Sequence, residues 1–192
     1  ELPDFPHIPE LPARGPGADL IGRTMALLAE VAPDLAVETT PVGWRLADAP
    51  DRVMSRARSW LSEDLDGVEQ ALTGRRGPLK AQLAGPWTLA AAVETRGGER
   101  AVRDHGACRD IAEALAEATA VHVREIQRRL PGVDVVLQLD EPSLPSVLAG
   151  GVTTASGLAT YRAVDPARAQ SHLAWVIDAA AGQGPCPACT AV

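Results

Sequence analysis

The sequence predicts an α/β protein in which a parallel sheet is covered by helices. Three observations point there. Short apolar segments at 79–85 and 133–139 have strand length and end at turn-forming residues. They alternate with stretches whose apolar residues recur at helical spacing. Both segments read as lacking the polar alternation of a half-exposed sheet, as strands buried on both faces do. The architectures open to such a chain are a (β/α)8 barrel and an open doubly wound sheet. The dinucleotide fingerprint of the second, Gly-x-Gly-x-x-Gly after a strand, is absent.

The 192 residues are enough for one substantial domain. Aromatic residues make up only 3%, so Ala, Leu and Val must build most of the core. The formal net charge is −7, with no long basic run, which argues against nucleic acid or an anionic membrane surface as partner. No apolar run is long enough to span a bilayer. The opening "ELPDFPHIPELPARGPG" lacks the charged and apolar regions of a signal peptide. Three cysteines, an odd and low count, suit a reducing compartment, and the expected location is cytoplasmic.

Residues 1–17 are proline-rich and expected to run extended over a surface. Asp19 then caps a helix carrying Leu20, Ile21, Met25, Leu27 and Leu28, which Pro33 stops. Residues 36–47 are mixed and β-branched, and predict a strand or hairpin interrupted at Pro41. From Asp51 to Thr73, Trp60, Leu61, Leu65, Val68 and Leu72 share one helical face. The strand at 79–85 leads into "PWTLAAAVE", a helix with Pro86 in its first turn. A long helix over about 99–130 places Ile111, Leu115, His122 and Ile126 on one stripe, and Pro131-Gly132 ends it. After the strand at 133–139 come one or two helical turns, a loop at 149–161, and a last helix from Pro166 to about Ala180. The tail at 182–192 is expected to fray.

Two strands end in chemistry. The first ends at Gly85, Pro86, Trp87 and Thr88; the second at Asp140 and Glu141. In parallel α/β folds the site lies at the carboxyl ends of the strands. The two turns should therefore share one rim, with the carboxylates at the mouth of the sheet. The alternative is that one of the two carboxylates caps the short helix that follows.

"LAGPWTLAAAV" followed by "VVLQLDEPSLPSVL" resembles the C-terminal catalytic barrel of cobalamin-independent methionine synthase, a group that also includes uroporphyrinogen decarboxylase and corrinoid-dependent methyltransferases. "LPELPARGPGADLIGRT" is similar to the opening of its short, actinobacterial-type members. The resemblance implies a TIM (β/α)8 barrel present only in part. It implies a methyltransferase of methionine biosynthesis, with zinc holding a homocysteine-like thiol as thiolate. Asp140 would bind the substrate ammonium, with Glu141 its neighbour and Gly85 to Thr88 lining the site. The methyl donor is left open between a folate and a corrinoid, the latter carried by a partner protein, because a folate-stacking tryptophan would fall at Ala92 and a folate-site glutamate at Ser146. The zinc ligands of the group would follow residue 180, where this chain reads "AGQGPCPACTAV". Cys186 and Cys189 are the metal candidates there, against a frayed tail. The competing functions are a decarboxylase-like relative, which would need arginines at the strand mouths, and a catalytically inactive barrel fragment.

Other residues read more plainly. His122 reads as a core or boundary histidine, His105 as exposed, and Cys108 as a buried helical residue. His172 is the one late histidine. Arg14 and Arg23 read as solvated arginines around a capped helix, and Trp44, Trp60 and Trp175 as packing residues.

Overall fold

The computed structural model of the chain describes residues 5–182 and the backbone of 190–191. Helix α1 (Leu20–Val31) starts where the Asp19 carboxylate accepts from Gly22 N at 3.0 Å, and it stops before Pro33. Strands β1 (Val37–Thr40) and β2 (Gly43–Leu46) form the expected hairpin across Pro41 and Val42. Helix α2 (Arg52–Leu72) is capped by Asp51, which accepts from Val53 N and Met54 N. Then come β3 (Gly77–Ala84), α3 (Pro86–Ala92), β4 (Val93–Glu94), α4 (His105–Arg129), β5 (Val133–Asp140), α5 (Leu144–Ala149), α6 (Pro166–Ala181) and β6 (Thr190–Ala191). Asp104 and Asp165 cap α4 and α6 in the same way.

Strands β3 and β5 pair in parallel over their whole length, from Gly77 opposite Val133 to Ala84 opposite Asp140. Beyond β5, Thr190 and Ala191 pair in parallel with Gln138 and Leu139, so the segment expected to fray contributes to the sheet. On the other side of β3 the proline-rich arm adds a further parallel contact. Ile8 N donates to Lys80 O, and Lys80 N donates to Pro6 O, each at 2.9 Å. The order across this sheet is therefore the order along the chain: arm, β3, β5, β6. The hairpin forms a second sheet with β4, in which β2 and β4 run parallel. Among the described residues the strands form these two small sheets, and no closed barrel is present.

The expectation that β3 and β5 lack polar alternation is wrong. Leu79, Ala81, Leu83, Val135, Leu137 and Leu139 are buried, with α1 packed on β3 and α4 on β5. The opposite face carries Lys80, Gln82, Gln138 and Asp140, all half-buried. One face is covered by helices and the other is polar, so the strands alternate with period two. Arg14 and Arg23 are also not simply solvated. Arg23 is 6% exposed and donates to Asp64 of α2 at 2.5 Å, while Arg14 donates to the other carboxylate oxygen at 2.8 Å. This buried ion pair bolts the arm and α1 to α2. No helix is long and apolar enough to cross a membrane among the described residues.

Candidate functional site

The two turns singled out in the sequence meet on one rim. Gly85 N donates to Asp140 O at 2.9 Å, continuing the β3–β5 ladder to its end. Glu141 then reaches across to the start of α3. Its Oε1 accepts from Trp87 N at 2.9 Å; its Oε2 accepts from Thr88 N and Thr88 Oγ1, each at 2.7 Å. These are the orphan amides of the first turn of α3, whose own cap residue, Gly85, offers no side chain. A carboxylate there also meets the positive end of the helix dipole. Burial pushes the Glu141 carboxyl up, against the pull of these three hydrogen bonds. Neither adjacent carboxylate caps the following helix α5, which has no side-chain cap. Glu141 instead caps α3, which precedes it in sequence.

Gly85 is needed for this closure because of space, not backbone angle. A Cβ on Gly85 would overlap the Glu141 carboxyl group. Trp87 is 1% exposed and donates from Nε1 to Ala169 O at 3.1 Å. Its ring stacks on His172 at 5.0 Å between centroids, and His172 in turn stacks on Trp175 at 4.7 Å. Burial, with the charge of Arg168, lowers the His172 imidazole, against a raising pull from Glu113. Trp87 and Thr88 are thus wall and fastening of the rim, and Pro86 is buried beside them.

Asp140 is placed differently. It lies on the polar face of the sheet, where its Oδ1 accepts from Gln138 Nε2 at 2.5 Å. Gln138 Oε1 accepts from Lys80 Nζ at 3.3 Å. Glu10, from the arm, joins this face. Burial raises the Glu10 carboxyl, Arg23 lowers it, Asp140 raises it further, and Lys80 lowers it. Asp140 and Lys80 thus meet at Gln138, within electrostatic range of Glu10. Sequence reasoning missed Glu10, Lys80 and Gln138. The alternation in "LKAQLA" and "VVLQLD" was the signal for the last two; Glu10 sits in an aperiodic proline-rich stretch and gave none.

The remaining candidates fall elsewhere. His122 and Cys108 are buried in α4, and His105 is exposed at its start. Cys186 and Cys189 lie outside the described residues. Among the described residues no three His, Cys, Asp or Glu side chains converge as a metal site. Among the described residues, those at this rim do not supply a zinc donor set. No protein-family model, curated protein or solved structure matches this chain, so the case for its function rests on the residues themselves.

Proposed function

We propose that this chain carries the substrate rim of a methyltransferase related to methionine synthase, and that the rim binds an amino-acid thiol such as homocysteine through its ammonium group. The observation that carries this reading is the division of labour between two neighbouring carboxylates. Glu141 is spent on the backbone of α3, while Asp140 faces the polar side of the sheet beside Glu10. A carboxylate pair in a half-buried polar setting favours an ammonium ligand, because the ligand cation relieves their mutual repulsion.

The sheet supports placement in a (β/α)8 architecture, present in part. Its parallel segments follow chain order without the reversal that marks a doubly wound sheet. Among the described residues helices α1 and α4 pack on the apolar face, and the polar face would form the interior of such a barrel. Asp140 and Glu10 would orient the substrate by its ammonium, while the buried Pro86 and Trp87 hold the strand end that carries the rim in place. Activation of the thiol and the methyl donor, folate or corrinoid, belong to groups other than these residues.

Titration calorimetry of the chain with homocysteine tests the reading. Replacing Asp140 by Asn removes one charge-assisted hydrogen bond, worth about 1.5–3 kcal/mol, or about a tenfold to hundredfold loss of affinity. An unchanged dissociation constant in Asp140→Asn would remove Asp140 from the site and sink the proposal.

A further inference from the structure

Lys80 is the single lysine of the chain; every other permanently cationic side chain is an arginine. It sits in the middle of β3, half-buried, on the polar face of the sheet. It forms no ion pair among the described residues, although Asp140 lies just beyond Gln138. Its Nζ donates instead to a neutral amide oxygen, that of Gln138. The same amide donates to Asp140. The side-chain ammonium and the carboxylate are therefore held one amide group apart, each with bonding capacity to spare. Lys offers three donors and Asp four lone-pair positions, and Gln138 engages one of each.

We propose that Lys80 recognises the α-carboxylate of the ligand whose ammonium goes to Asp140 and Glu10, so that the site reads the zwitterionic head of a free α-amino acid. This rests on the amino-acid thiol reading above and adds the part of the substrate that reading left unspecified. A zwitterionic head with one hydrogen bond at each end spans a length comparable to the Gln138 bridge, and its charges are opposite in sign to those it would meet. With the ligand's own pair of charges added, the site would hold three carboxylates and two ammonium groups, with opposite charges paired more closely. Lysine suits the position better than arginine. Its compact ammonium meets a carboxylate end-on, whereas the planar guanidinium fork would span both Gln138 and Asp140 and close the gap.

The test compares homocysteine with aminopropanethiol, its decarboxylated analogue, on the wild-type chain, Lys80→Met and Asp140→Asn. Wild type is expected to bind homocysteine about tenfold or more tightly than the analogue. Lys80→Met erases that preference while leaving affinity for the analogue within about twofold. Asp140→Asn weakens both ligands. A second readout covers the case in which Lys80→Met does not fold. Reductive methylation with an isotope label marks only Lys80 and the chain's α-amino group, and the Lys80 resonance should move with homocysteine and not with aminopropanethiol. Equal wild-type affinity for the two ligands, or a Lys80 resonance indifferent to homocysteine, overturns the role of Lys80 and leaves that of Asp140 standing. Failure of homocysteine to bind wild type overturns both.

Discussion

Two of the buried carboxylates, Asp64 and Glu141, are held by opposite means. Asp64 sits at the junction of the arm, α1 and α2, gripped by the guanidinium groups of Arg14 and Arg23. Glu141 sits at the rim, held by two backbone amides and a hydroxyl, with no cation bonded to it. The junction solves a charge with charge. The rim solves it with dipoles, and keeps its carboxyl raised by burial. The difference teaches that burial of an acid in this fold is no sign of catalysis: both are fasteners, and the acid proposed to meet a ligand is the half-buried Asp140.

The largest effect should come from the junction. Asp64→Ala leaves Arg23 buried without its partner, which costs about 3–5 kcal/mol. Urea unfolding measures this directly, and a loss below about 1 kcal/mol would show that Arg23 finds water easily and that the junction is not a closed ion pair.

Acid should separate the two regions next. His122 packs at the junction, and burial with the nearby Arg23 charge lowers its imidazole from 6.5 to about 4, against a weaker pull from Glu125. The unfolded chain takes up this proton first, so stability is lost as pH falls from about 6.5 to about 4, by about 3 kcal/mol at the limit. Glu141 acts in the opposite sense. Its folded carboxyl is raised, so its contribution is fullest in acid and declines as pH rises past the ordinary glutamate range. Unfolding free energies across this window should lose their junction-derived slope in His122→Leu. A slope unchanged in that variant would place its origin elsewhere.

The smallest effect lies at the rim itself. Glu141→Gln presents one amide nitrogen to donors that need an acceptor, and should cost about 1–3 kcal/mol. Gly85→Ala should cost a similar amount by pushing on the same carboxyl group. In a Glu141→Ala background Gly85→Ala should be nearly free. Additive costs in that double variant would show that Gly85 is not there to make room for Glu141.

Much of the element order was legible, because it is written in local signals. Asp19 before an apolar stripe, Pro86 in a first turn, and Pro131-Gly132 after a long helix each act within a few residues. The shared rim was legible from parallel strand direction alone. What escaped depended on distance. Arg23 and Asp64 lie 41 residues apart, and Glu141 bonds residues 53 and 54 positions earlier. Register decides such contacts, and no local pattern carries it. The polar alternation of Lys80, Gln82, Gln138 and Asp140 was present in the sequence but hidden among Ala, Leu and Val neighbours. The part played by Glu10 came from the arm lying along β3, which proline content alone does not announce.

The Glu141 bond also has a consequence for the order of events in folding. Helix α3 has seven residues and no side-chain cap of its own, too short to persist in isolation. Its first turn is completed by a residue that arrives only after the whole of α4 and β5. Closing that loop is slow relative to local helix formation. Closure of the rim thus waits for its two sides to meet, and its opening is expected to follow the end of the sheet rather than the fraying of a surface helix.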